Sequence, residues 1–409
     1  HICIHALCRL HDGLCVSCGM WRGARQADQV DEQVPPGTPS PKKRRSWWPF
    51  ADTYEEMVSM IIRPPRAPYE TSNLGPSRFI LSGHVFNRQD LQVQNPQGLV
   101  LECSWWRPVH RERISESPLP CVVVLHGNSS CRLEALQHVR MVLTRGITLF
   151  AFDFAGCGMS EGDYISLGYH EREDVSTIIS YLRDSGEVST IALWGRSMGA
   201  VTALLHGHRD PSIAGLVLDS PFSSLEQVVR ELIARMPIRF KPRFLVNAAM
   251  SMVRRTVRKR TGMDILKLKP IENVHTCFIP ALFVAGVHDE LILPHHTHQI
   301  HEKYAGDKNL VMIEGDHNSA RPQYLADSVS IFFYERLCLP AGLPGELPPH
   351  VGPLDRSGNP LVSSMVGEAE DDALEAQGGA LLAGDMGDPD EAAIQEAILM
   401  SLVSPAASA

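Results

Sequence analysis

No apolar run in this 409-residue sequence approaches the ~20 residues that a membrane-spanning helix needs, so no transmembrane segment is expected. The N-terminus lacks the apolar stretch of a secretory signal. It opens on His1, so the sequence is expected to begin inside a longer protein or on a translated upstream segment. There is no internal repeat. No strong charge of either sign is present: the net charge is −9, basic early and acidic late. That average is not evidence about nucleic acid, and no nucleic-acid partner is expected. The ten cysteines form no disulfide framework, because four lie within residues 3–18 and the other six are scattered, several inside apolar runs. A reducing, cytoplasmic compartment fits that usage. What remains is a chain with the 44% apolar content of a globular protein, long enough for one large α/β domain with appendages.

Composition divides the chain. Residues 1–19 are rich in Cys and His, and residues 20–50 form a basic, Pro-rich linker. That linker ends in Pro41-Lys42-Lys43-Arg44-Arg45, which resembles a basic nuclear-import signal and makes the nucleus the alternative compartment. Residues 51–338 alternate strand-like and helix-like segments, which predicts a mostly parallel, eight-stranded sheet with helices on both faces. The expected strands fall at 78–81, 99–105, 121–125, 148–152, 191–194, 215–218, 281–284 and 310–313. A helical insert over 223–273 interrupts the rhythm. Residues 339–387 are an acidic linker expected to be disordered, and 388–403 read as a short helix.

The sharpest local signal is Gly195-Arg196-Ser197-Met198-Gly199, placed between the apolar run Thr190–Trp194 and the helix-like Ala200–Leu205. A strand-to-helix turn lifts its serine above the sheet edge, and small flanking residues relieve the crowding. The same turn sets the Met198 amide and a helix N-terminus beside the serine, where an oxyanion would form. A hydroxyl needs a base to take its proton, and the base needs a third group to hold it. Two later strand-plus-turn motifs supply these in the order Ser…Asp…His: Gly286-Val287-His288-Asp289 and Gly315-Asp316-His317. Asp289 is the chosen carboxylate and His317 the base, with Asp219 as the competing acid and Asp316 a turn residue. A second oxyanion donor, the Asn128 amide, is offered by the strand-turn His126-Gly127-Asn128.

These motifs, with Asp153–Ser160 between them, resemble the α/β-hydrolase fold in its serine-aminopeptidase-like branch, over about residues 76–338. The resemblance implies a Ser197-Asp289-His317 triad, an oxyanion hole from Asn128 and Met198, a structural role for the Asp153–Ser160 loop and a cap in the 223–273 insert. It implies a serine hydrolase of an ester, thioester or amide, acting on a small-molecule or acylated substrate, with no cofactor for catalysis. The branch name does not imply peptidase activity. The different reading is a non-catalytic ubiquitin-binding adaptor on a hydrolase scaffold.

The insert ends in a basic run at Arg254–Arg260, read as a solvated face, with peripheral contact to an anionic membrane as the alternative. Charge reversal at Arg254, Arg255 and Arg258 is expected to spare hydrolysis of a small neutral ester. Near the C-terminus, acids from Asp388 onward precede Ile394, Ala397, Ile398 and Ser401 on one helical face. That pattern resembles a ubiquitin-interacting motif, which makes ubiquitin a candidate partner. Near the N-terminus, Cys3, His5, Cys15 and Cys18 have the pairing that a structural zinc site uses, similar to the Cys-x-His…Cys-x-x-Cys-Gly segment of transcription-associated C-terminal-domain phosphatases. His295, His296, His298 and His301 follow the acid loop and read as a surface helix rather than metal ligands.

Overall fold

The structure, a computed structural model, describes residues 51–235, 243–337 and 339. The readings at Cys3–Cys18, the linkers and the 388–403 helix lie outside the described residues. Nine strands form one sheet: β1 (Arg78–Leu81), β2 (His84–Gln94), β3 (Val100–Pro108), β4 (Leu119–Leu125), β5 (Thr148–Phe152), β6 (Val188–Arg196), β7 (Gly215–Asp219), β8 (Ala281–Gly286) and β9 (Lys308–Ile313). Their order is β1-β2-β3-β5-β4-β6-β7-β8-β9. Pairing is antiparallel from β1 through β3 to β5 and parallel across the remaining six strands.

The described helices are α1 (Ala51–Ile62), α2 (Leu136–Leu143), α3 (Glu171–Asp184), α4 (Met198–Gly207), α5 (Leu225–Arg235), α6 (Arg243–Thr261), α7 (Pro294–Lys303) and α8 (Gln323–Arg336). The fold is the expected α/β-hydrolase arrangement, with one correction: the sheet has nine strands rather than eight. The ninth is β2, His-Val-Phe-Asn-Arg-Gln-Asp-Leu-Gln-Val-Gln, whose second half alternates half-buried and exposed positions. An antiparallel strand wet on one side carries few apolar residues, so it left no strand-like run in the sequence.

The central strands β4, β5, β7 and β8 are buried at every position, as parallel strands covered on both faces must be. Alternation then splits each strand between two cores. Cys121, Val123 and Leu125 of β4 join one cluster with residues of α3, α4 and the insert, while Val122 and Val124 join another with α2 and α8. Because β4 lies between β5 and β6, the chain reverses its direction of winding there. A crevice opens at such a switch point beyond the carboxyl ends of the strands, and the loops after β4 and β6 border it.

Candidate active site

Ser197 is the hinge between β6 and α4. Its backbone is at φ 51°, ψ −112°, a strained conformation for a residue with a Cβ. The surrounding structure enforces it. The Ser197 amide donates to the Asp219 carbonyl (2.7 Å), and the Val201 amide donates to the Ser197 carbonyl (3.0 Å). A Cβ on Gly199 would stand 1.9 Å from the Leu125 carbonyl oxygen, and one on Gly195 would stand 2.3 Å from Gly199. Both glycines are therefore required by contact, not only by turn preference.

The acid and base loops extend β8 and β9 and are laced together. Val287 N donates to Ile313 O (2.9 Å) and His288 N to Gly315 O (3.1 Å). This delivers Asp289 Oδ2 to 2.6 Å from His317 Nδ1. The other oxygen, Oδ1, accepts the Leu291 and Ile292 amides at 3.0 and 2.8 Å, so the carboxylate is fully held. Both residues are buried. In the neutral ring the proton then sits on Nδ1, and Nε2 keeps the basic lone pair.

The alternative acid is accounted for. Asp219 is paired with Arg321 through two hydrogen bonds, Oδ2 to Nε at 2.7 Å and Oδ1 to Nη2 at 2.9 Å. Asp316 closes its own turn, accepting from the Asn318 and Ser319 amides, and its carboxyl is held below the usual range by the Ser319 hydroxyl. The Asp153 loop is likewise structural. Its buried carboxylate accepts the Arg132 amide (2.7 Å), the Met159 amide (2.8 Å) and the Tyr69 hydroxyl (2.6 Å).

The oxyanion loop is set by a residue that the sequence reading passed over. The Gly127 amide is taken by Glu134 Oε2 (2.9 Å), and the next amide, Asn128's, has no backbone partner among the described residues. His126 fixes the loop further: its Nε2 accepts the Phe154 amide (3.1 Å), so Nδ1 carries the proton and donates to the Gly127 carbonyl (2.7 Å). A Cβ on Gly127 would lie 4.0 Å from Ser197 Cβ, so this loop runs beside the serine. The Met198 amide, the first of α4, needs no helical acceptor and is buried beside it.

Arg196, the variable residue of the turn, joins the parts. Its Nη1 is 3.7 Å from Glu134 Oε1, and its Nη2 donates to the His317 carbonyl at 2.6 Å. Neither Glu134 nor Arg321 sits in a motif, and only their spacing to loops in three dimensions reveals them.

The helical insert expected over 223–273 holds α5 and α6. The basic run is only partly solvated. Arg254 pairs with Asp264 (Nε–Oδ1 2.7 Å), and Arg260 pairs with Glu55 of α1 (2.8 Å). No described helix is long and apolar enough to cross a membrane.

Sheet order, elbow and strand-end loops are those of the α/β-hydrolase fold. Residues 116–268 match the family model of serine aminopeptidase, S33. An uncharacterised protein of Bacillus subtilis, YqkD, is 27% identical over 201 residues, which is 48% of this chain and 64% of that protein. Human monoglyceride lipase is 27% identical over 220 residues, 51% of this chain and 70% of the lipase. Among solved structures, an esterase of Pyrococcus furiosus aligns with a TM-score of 0.49 at 19% identity, covering 62% of this chain and 92% of the esterase. The chain thus spans a little under two thirds of the length of YqkD and somewhat more of the lipase.

Proposed function

We propose that this protein is a serine hydrolase that cleaves an ester, thioester or amide through an acyl-enzyme. The observation that carries the reading is the strained Ser197 elbow on the same sheet edge as the Asp289–His317 hydrogen bond of 2.6 Å. Ser197 Oγ attacks the carbonyl carbon while His317 Nε2 takes the hydroxyl proton. Asp289 stabilises the imidazolium without itself taking the proton. The Asn128 and Met198 amides receive the oxyanion. Collapse of the tetrahedral intermediate expels the alcohol, thiol or amine, which leaves with the proton from His317. Water, deprotonated by the same nitrogen, then attacks the acyl carbonyl and regenerates Ser197. Every step draws on this chain's own groups, so no cofactor is needed for catalysis. A glyceride-like ester is one substrate to assay, given the likeness to monoglyceride lipase.

A fluorophosphonate probe tests the proposal. Wild type should label stoichiometrically and Ser197→Ala not at all, with the melting temperature close to that of wild type, since alanine keeps the Cβ and the same backbone. Equal labelling of the two, or none of wild type, would favour the adaptor reading.

The appendages extend the proposal. The 388–403 segment would recruit the hydrolase to ubiquitylated partners through Ile394, Ala397, Ile398 and Ser401; ubiquitin resonances shifted equally by wild type and by an Ala397→Gly/Ser401→Ala variant would end that idea. Cys3, His5, Cys15 and Cys18 would hold a structural zinc, testable by metal content of a 1–25 peptide. The cytoplasm, with the nucleus as alternative, is the compartment that suits both.

A further inference from the structure

Beneath the insert lies a polar cluster that hydrolysis does not use. Glu231, near the end of α5, faces His295 and His296 at the start of α7. Its Oε1 is 3.0 Å from His295 Nε2 and its Oε2 is 3.0 Å from His296 Nε2. We propose that Glu231, His295 and His296 form a divalent transition-metal site, zinc by its chemistry, that clasps the cap to the segment following the acid loop.

Two imidazoles and a carboxylate are a ligand set that zinc accepts, and three protein ligands leave a fourth position for water. All three ligand atoms lie within 4.8 Å of one another. Ligand atoms about 2.1 Å from a tetrahedral zinc stand roughly 3.4 Å apart, so only a small closure is required.

The surroundings present these atoms as acceptors. Gln227 Nε2, a donor, lies 2.9 Å from His295 Nε2 and 3.0 Å from Glu231 Oε1. Two acceptors held 3.0 Å apart repel unless a proton or a cation lies between them. His296 is fully buried, so a polar side chain with no role in hydrolysis is held inside the cluster. Its Nδ1 is 2.7 Å from Ser223 Oγ, which also reaches Gln299 Oε1 at 3.0 Å, and 3.3 Å from the Ser223 amide. When the Ser223 hydroxyl donates to Gln299 its oxygen can accept from Nδ1–H, the tautomer that bares Nε2 to a metal, whereas the Ser223 amide, which only donates, supports the tautomer with the proton on Nε2.

The position gives the metal a consequence. Pro294, where α7 begins, follows closely on the Leu291 and Ile292 amides that hold Asp289. Glu231 belongs to the insert. An ion shared between them would fix the cap over the acid loop and narrow substrate entry.

The test uses the full chain, stripped with a chelator and titrated with Zn²⁺, with metal content and melting temperature as readouts. His295→Gln replaces a partly exposed ring and should leave the metal-free far-UV spectrum and melting temperature at wild-type values; Glu231→Gln is the second variant. A Cys15→Ser/Cys18→Ser variant removes any N-terminal contribution. The cysteine variant should keep one equivalent that either cluster variant binds at least 10-fold more weakly, and Zn²⁺ should raise its melting temperature but not theirs. Co²⁺ should give tetrahedral d–d bands that depend on the same three residues. Equal zinc content and equal thermal shift with and without the cluster substitutions, or no binding by the cysteine variant, would overturn the proposal.

Discussion

The core around β4–β8 and the insert formed by α5 and α6 are built by different means. In the core, position follows from apolar strands buried on both faces and from glycines in van der Waals contact with the neighbouring backbone. The insert shares that apolar core on its inner side, through Val228, Val253 and Val257 among others, while its outer side is tied by polar pairs, among them Arg254–Asp264, Arg230–Glu226 and the Tyr54 hydroxyl donating to the Met252 carbonyl. Apolar close packing tolerates little displacement, whereas exposed ion pairs contribute little and re-form in other geometries. The difference teaches where each property resides. The groups proposed to react stand on the close-packed part, and the outer side of the insert is the adjustable part.

The comparison breaks most violently at Gly199. Gly199→Ala sets a methyl 1.9 Å from a carbonyl oxygen of β4, so it should cost more than about 3 kcal/mol and yield little folded protein, measured by chemical denaturation. Asp289→Asn should leave the fold standing but lower acylation by about 10³–10⁴, read from probe-labelling rates, because the amide permits the wrong imidazole tautomer. A loss under 10-fold would move the acid role elsewhere.

Acid should act on the core first. His138 is half-buried and stacked on Trp194 (centroids 3.6 Å). Burial pushes its imidazole down to about 3, despite the nearby Asp219 charge. Below the unfolded value of about 6.5 the unfolded chain takes up a proton that the native state refuses. Stability is therefore full above pH 6.5 and falls as the pH drops toward 3, at up to about 1.4 kcal/mol per unit from this group. His138→Phe should flatten that slope in denaturant titrations; an unchanged slope would place the acid sensitivity elsewhere. The smallest effect belongs to the insert. Arg255→Glu/Arg258→Glu/Lys259→Glu should change turnover of a small neutral ester by less than about twofold while altering turnover of anionic esters. Arg254 is left out of that set, because its charge is engaged with Asp264.

The same contrast decided what could be read from the sequence. The apolar strands, the elbow, and the Asp289 and His317 turns were legible because their chemistry is local: a periodic run followed by a turn residue. β2 was not, since its pairing with β1 and β3 gives an exposed face no apolar signature. Spacing favoured Asp289 and kept Asp219 as a competitor; in three dimensions Asp289 meets His317, whereas Arg321, 102 residues away from Asp219, pairs with the latter. The His-rich start of α7 read as a surface helix, yet His296 is fully buried, because its partner Glu231 lies 65 residues earlier.

Arg196 has a consequence for how this chain can change. Its guanidinium meets Glu134, which holds the Gly127 amide, and also the carbonyl of His317, which lies 121 residues further along. Three loops thereby share one point of reference that does not depend on the length of chain between them. A longer or shorter connection between them would leave the mutual spacing of Ser197, His317 and the Gly127 loop in place. Substituting this single unremarkable position would remove that freedom, and the site's geometry would become hostage to every change in its connections.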